Sequence, residues 1–189
     1  MTAALAAAAI VPGVAAGMAA PATKDTPPAK AAPAARGAEK GGPRWGYDGA
    51  EGPDHWGDLA PGFAACKNGK LQSPIDIPAS RIASTDLDSF HFYYKPVPIA
   101  VIDNGHAIQI DFEPGNAMKV GGVPYDLVQA HFHRPGEERI DGKTFPMVTH
   151  MVHRSKDGRL AVIALLMERG AANPALDTVL VNLPKDKGG

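Results

Sequence analysis

The stretch Leu127-Val128-Gln129-Ala130-His131-Phe132-His133 constrains this chain more than any other. Along an extended strand successive side chains point to opposite faces, so Gln129, His131 and His133 share one face and Val128, Ala130 and Phe132 the other. Two imidazoles on one strand face are poor core filler, because each brings two ring nitrogens that burial must satisfy. A shared metal ion satisfies one nitrogen of each. A third ligand has to come from a neighbouring strand, and Met147–His153 offers both His150 and His153, on opposite faces. Val148 and Val152 share the face of His150 and would make an apolar wall beside a metal, whereas Met147, Thr149 and Met151 share the face of His153. The pattern leans to His150 and leaves His153 open.

The surrounding sequence reads as strands. Phe90–Lys95, Ile99–Ile102, Ala107–Phe112, Leu127–His133, Met147–His153 and Leu160–Met167 have β-type composition. Turn signals separate them: Asp103-Asn104-Gly105, Glu113-Pro114-Gly115, Gly121-Gly122, Asp141-Gly142 and Asp157-Gly158. Only Asn173–Leu183 reads as helix, with Asn173 as N-cap and Pro174 in the first turn. The stretch after Trp45, rich in Gly, Pro and Asp, reads as loop. The predicted fold is mainly β, with a twisted, largely antiparallel central sheet and few short helices.

A chain of 189 residues with 44% hydrophobic content is long enough for one domain with a real core. Nineteen basic against twenty acidic side chains give a net charge of -1, which gives no electrostatic reason to expect nucleic acid or an anionic membrane. No cluster of aromatic and basic residues suits stacked single-stranded bases either. A small, nearly neutral substrate fits better. Residues 1–22 form an alanine-rich apolar run with no charge before Lys24, and read as a signal peptide cleaved after Ala20 or Ala22, although no basic residue precedes the run. Export to the periplasm or the extracellular space follows. Pro12 and several glycines argue against a stable membrane span. Residues 23–44, rich in Pro, Ala, Gly and Lys, read as a disordered tether, which leaves residues 45–189 as the folded domain.

Gln129-Ala130-His131-Phe132-His133, Glu137, Ile140-Asp141-Gly142-Lys143 and His150-Met151-Val152-His153 resemble the α-class carbonic anhydrases. So do Trp45-Gly46-Tyr47, Gly52-Pro53-Asp54-His55-Trp56, Gln72-Ser73-Pro74-Ile75-Asp76-Ile77 and Asn104-Gly105-His106-Ala107, in the family's order, over about residues 45–183. The resemblance implies a catalytic zinc ion (Zn2+) on His131, His133 and His150. With three neutral ligands such an ion acidifies a bound water, and the resulting hydroxide converts carbon dioxide to bicarbonate. It also implies that His106 relays the released proton, that Tyr47 and Asn104 order water, and that Val152 lines the carbon dioxide pocket. Gln129 then receives the free ring N–H of the first ligand, and Glu137 orients a threonine hydroxyl.

The resemblance also marks departures. Val148 stands where the family usually has the glutamate that hydrogen-bonds the third ligand, a contact whose loss typically costs about 10–100-fold in metal affinity or activity unless water or another group substitutes. The family's Thr-Thr-Pro-Pro-Cys-type segment has no match in residues 154–189, so the expectation is a C-terminally truncated domain lacking the threonine partner of Glu137 and the cysteine that would bridge to Cys66. A zinc-binding relative without activity is the alternative this raises. Two other readings compete: a cupin-like iron or manganese enzyme, because His131-x-His133-x-x-x-Glu137 fits a two-histidine-plus-glutamate site, and a structural module with no metal. The sequence carries no sign of oligomeric state.

Overall fold

The computed structural model describes residues 44–83 and 90–186. The signal-peptide reading of residues 1–22, and the tether reading of 23–44 apart from Arg44, lie outside the described residues. Ten strands form among those described: β1 (Asp76–Ile77), β2 (His91–Tyr93), β3 (Ile99–Asp103), β4 (Ile108–Phe112), β5 (Ala117–Val120), β6 (Val123–His133), β7 (Arg139–Ile140), β8 (Lys143–Thr144), β9 (Met147–Arg154) and β10 (Leu160–Met167). Seven make one sheet in the order β10-β9-β6-β4-β3, with β5 on β6 and β2 on β5. Every ladder in it is antiparallel. The mainly β, largely antiparallel expectation holds.

Register aligns the site. Gln109 on β4 faces His131 on β6, which faces His150 on β9, which faces Ala164 on β10. One row therefore crosses four strands through two of the three histidines. A bulge in β6 produces this arrangement: Leu127 pairs with His153 but Gln129 pairs with Val152, so Val128 is an extra residue. Because His153 and Val152 face opposite ways, Leu127 and Gln129 do too. The first half of β6 thus sends Tyr125 and Leu127 into one core while the second half sends Gln129, His131 and His133 to the other face.

Two apolar clusters hold the sheet. On one face Met118, Tyr125, Ala161 and Ile163 pack with Val120, Val123, Met151 and Leu165. On the histidine face Val148, Ala164 and Leu166 pack with Ile140 and Phe145. Val148 is wholly buried, and burying a valine contributes about 1.5–3 kcal/mol. Position 148 is core.

A three-stranded sheet, β1-β7-β8, flanks the site, with β1 and β7 parallel. Asp141 and Gly142 turn the β7–β8 hairpin, both at positive φ (51° and 75°), as a two-residue type I′ connection requires. Asp141 Oδ1 accepts the Ala79 N–H at 2.6 Å and Asp76 Oδ1 accepts the Gly142 N–H at 3.0 Å. The hairpin is thereby tied to residues 76–79.

The structure corrects several local readings. The stretch read as loop holds α1 (Trp56–Leu59), α2 (Ala64–Asn68) and 3-10 turns at Gly49–Glu51, Pro53–His55 and Pro61–Phe63. These runs are too short for a 3.6-residue hydrophobic period to register. β5 was not foreseen, and β6 begins four residues before Leu127, because Pro124 and Asp126 interrupt the β-type composition. The helix α3 (Pro174–Val181) forms with the Asn173 side chain accepting the Ala175 N–H at 3.0 Å. Among the described residues no helix is long and apolar enough to cross a membrane.

Candidate metal centre

His131, His133 and His150 come together, each offering a ring nitrogen within 4.8 Å of the others. Their ring centroids lie 4.9 to 5.3 Å apart. The other nitrogen of each ring has a protein partner. Gln129 Oε1 lies 2.8 Å from His131 Nδ1, the Tyr47 hydroxyl 3.3 Å from His133 Nδ1, and Glu138 Oε1 2.7 Å from His150 Nε2. With those nitrogens donating, Nε2 of His131, Nε2 of His133 and Nδ1 of His150 keep their lone pairs for the space between the rings. Burial pushes His131 down to about 4, helped by repulsion from His133 and His150, and burial with His150 does the same to His133. Both rings are neutral at pH 7, the form that ligates a metal.

The open choice between His150 and His153 resolves through the register. His153 is wholly buried on the opposite face, where its Nδ1–H donates to Met151 O at 3.0 Å and its Nε2 accepts from the Tyr94 hydroxyl at 2.6 Å. Burial lowers its affinity for a proton and lifts Tyr94 to about 12. A neutral Tyr-His pair satisfies both groups without a metal.

The contact missing at Val148 has a substitute. Val148 offers no polar atom, but Glu138, from the loop ahead of β7, reaches the ring from another direction. Burial alone would raise the Glu138 pKa; the hydrogen bond and the field of His150 outweigh it and bring it below the usual carboxylate range. The neighbouring Glu137 is raised, chiefly by burial and partly by Glu138, against the opposing pull of His150. Its Oε2 lies 3.5 Å from His133 Nε2 and 4.0 Å from His150 Nδ1, and among the described residues it accepts from no hydroxyl.

Of the remaining expected residues, Tyr47 and Val152 line the cavity beside the histidines, whereas Asn104 and His106 are not among its lining. Tyr47 lines the cavity, and burial, with Glu137 nearby, raises its hydroxyl pKa. Asn104 is committed to structure: its Oδ1 accepts the N–H groups of His106 and Ala107, and its Nδ2 donates to Gln109. His106 is exposed and stacks on Trp45, ring centroids 3.8 Å apart and planes 9° from parallel. Val152, with Leu160, Val162 and Ala164, gives an apolar part to the lining of a cavity of about 750 Å³ that the three histidines also line. Cys66 is an exposed free thiol on the same cavity.

Sequence reasoning missed Glu138 and Gln109. The signal for Glu138 was available: a lost acid at 148 and a spare acid next to Glu137. Gln109 joins Asn104 to Asp111, accepting from one at 3.1 Å and donating to the other at 2.7 Å, directly beside His131.

Fold and site together define a β-sheet protein with a three-histidine group able to hold a metal ion. The family model described as eukaryotic-type carbonic anhydrase matches residues 51–188. A carbonic anhydrase of Nostoc sp. is 40% identical over 147 residues, 76% of this chain and 56% of that protein. One from Pectobacterium carotovorum is 42% identical over 140 residues, covering 74% and 57%. The solved α-carbonic anhydrase of Thermovibrio ammonificans superposes with a TM-score of 0.74 at 38% identity, covering 79% of this chain and 66% of that one. The chain belongs to the eukaryotic-type, or α, carbonic anhydrase family, and spans a little over half the length of the curated relatives it matches. The cupin-like reading falls with this, since the third member of the cluster is His150 and Glu137 is not among the grouped ligands. The reading as a structural module loses its support, since the three histidines gather in a group that could hold a metal ion.

Proposed function

We propose that this chain binds zinc through His131, His133 and His150 and hydrates carbon dioxide reversibly to bicarbonate and a proton. One observation carries the proposal: three imidazoles turn one nitrogen each to a common point while Gln129, Tyr47 and Glu138 occupy the others. Three neutral nitrogen donors suit zinc and leave a position open. Bound there, zinc would supply the Lewis acidity that makes hydroxide available near neutral pH, chemistry for which carbonic anhydrases are the standard example.

The chain's own residues supply the rest. Val152, Val162 and Ala164 give an uncharged, apolar substrate a surface from which water is readily displaced. Glu137 holds a carboxylate beside two of the ligands, suited to accept from a hydroxyl entering the site. His106, exposed and stacked on Trp45 of the cavity lining, is suited to take a proton by way of water and release it to buffer. Tyr47 spans the two regions, touching His133 and stacking edge-on with Trp45.

Stopped-flow hydration of carbon dioxide, with zinc content measured by elemental analysis, tests the proposal. Stoichiometric zinc with hydration supports it. A second reading, a zinc-binding relative without hydration, draws on Glu137 facing imidazoles rather than a hydroxyl; stoichiometric zinc with no activity would establish that reading instead. The apolar run of residues 1–22 extends the proposal to export, and N-terminal sequencing of protein recovered from the periplasm or medium checks it. A mature terminus at Pro21 or Thr23 is expected.

A further inference from the structure

We propose that Glu138 positions the third ligand for metal, taking over from the loop ahead of β7 the task that the wholly buried Val148 cannot perform; this rests on the zinc reading above. His150 Nε2 and Glu138 Oε1 are 2.7 Å apart, and both side chains are more than nine-tenths buried. A carboxylate at that distance only accepts, so Nε2 must carry the ring proton, and Nδ1 is left with its lone pair toward His131 and His133. A charged acceptor also makes the ring a stronger ligand.

The arrangement is costly in a way that packing does not explain. Glu138 Oε2 is buried with no hydrogen-bond partner among the described residues, and a buried, unpaired carboxylate oxygen opposes folding. A glutamine or an apolar side chain would fill the same volume more cheaply. The charge is retained where its hydrogen-bond partner is the His150 ring.

Backbone anchors hold Glu138 in place. The Gly136 N–H donates to Phe145 O at 2.9 Å and the Arg139 N–H donates to Ile75 O at 3.2 Å, one on each side of the Glu137-Glu138 pair. The hairpin behind them is tied to residues 76–79 through Asp76 and Asp141. Meanwhile Val148, two residues from His150 on the same face, packs with Ala164, Leu166, Ile140 and Phe145. Relocating the carboxylate frees position 148 for the core.

The test compares the parent protein with Glu138→Gln, Glu138→Ala and the double variant Glu138→Ala/Val148→Glu. Zinc affinity is read by competition with a chromophoric chelator at fixed pH, the ligand field by the visible spectrum of the cobalt-substituted protein, and metal-free stability by urea unfolding. Glu138→Ala should weaken zinc about 10–100-fold and shift the cobalt bands, a loss that exceeds any change in metal-free stability. Glu138→Gln, which keeps an uncharged acceptor, should fall between, and the double variant should recover affinity relative to Glu138→Ala. Unchanged affinity in both single variants would overturn the proposal. So would parallel losses of metal-free stability and zinc affinity, which mark a purely structural residue. A parent protein without zinc takes the proposal down with the zinc reading, and is told apart because the failure precedes any substitution.

Discussion

Each of the three grouped histidines has one nitrogen held by the protein and one released, and substitutions should divide along that line. His150→Ala removes a donor from the cluster and strands the Glu138 carboxylate, so stoichiometric zinc should be lost on elemental analysis. His153→Ala, three residues away, should leave zinc content intact. It should instead lower stability by about 1–3 kcal/mol in urea unfolding, because it opens a gap in the sheet and removes the acceptor of the Tyr94 hydroxyl. Retained zinc in the first variant, or lost zinc in the second, would reverse the assignment. In the proposed reaction His106 belongs to a different step. Its substitution by Ala should reduce turnover at low buffer concentration and leave kcat/KM unchanged, because proton release to solvent follows conversion of substrate. A loss confined to kcat/KM would refute a relay role.

At the scale of elements, the short β7–β8 hairpin decides where the acids ahead of it sit. Asp141 contributes twice, adopting a positive φ of 51° that its side chain tolerates and accepting the Ala79 N–H. Asp141→Ala should therefore cost about 1–3 kcal/mol in urea unfolding and speed hydrogen exchange at Ala79. An unchanged midpoint would show that β1 and β7 hold each other without it. This element was legible in part: Asp141-Gly142 announces a tight turn, but two-residue strands carry too few side chains to show a period. The alternation around His131 and His133 was legible because a strand face is written in every second residue. The bulge at Val128 was not, since an inserted residue appears only when a partner strand supplies the register. The choice of His150 over His153 needed that same partner, and Glu138 showed only as a spare acid beside Glu137, because contacts made from loops carry no period.

Across the whole molecule, several buried groups set a common direction for acid sensitivity. His131 and His133 are held at about 4 and His153 is lowered by burial, against an ordinary value of about 6.5. The folded chain keeps these rings neutral where the unfolded chain takes up protons. The unfolded state then binds more protons, so the stability of the metal-free protein rises with pH through this window and is lost as pH falls from about 6.5 toward 4. Glu138, held below its ordinary range, continues the loss at lower pH, while the raised Glu137 works the other way as a single group. Urea midpoints of the chelator-treated protein should fall steadily from pH 7.5 to 5.5 to 4.5. His153→Phe should make the decline shallower, since it deletes one of the three rings yet leaves the cluster whole. Zinc should steepen the decline, because protons compete with the metal for the same nitrogens. A flat metal-free profile between pH 6.5 and 4.5 would mean that the three rings are not held neutral by the fold, and that the cluster is assembled by the metal rather than for it.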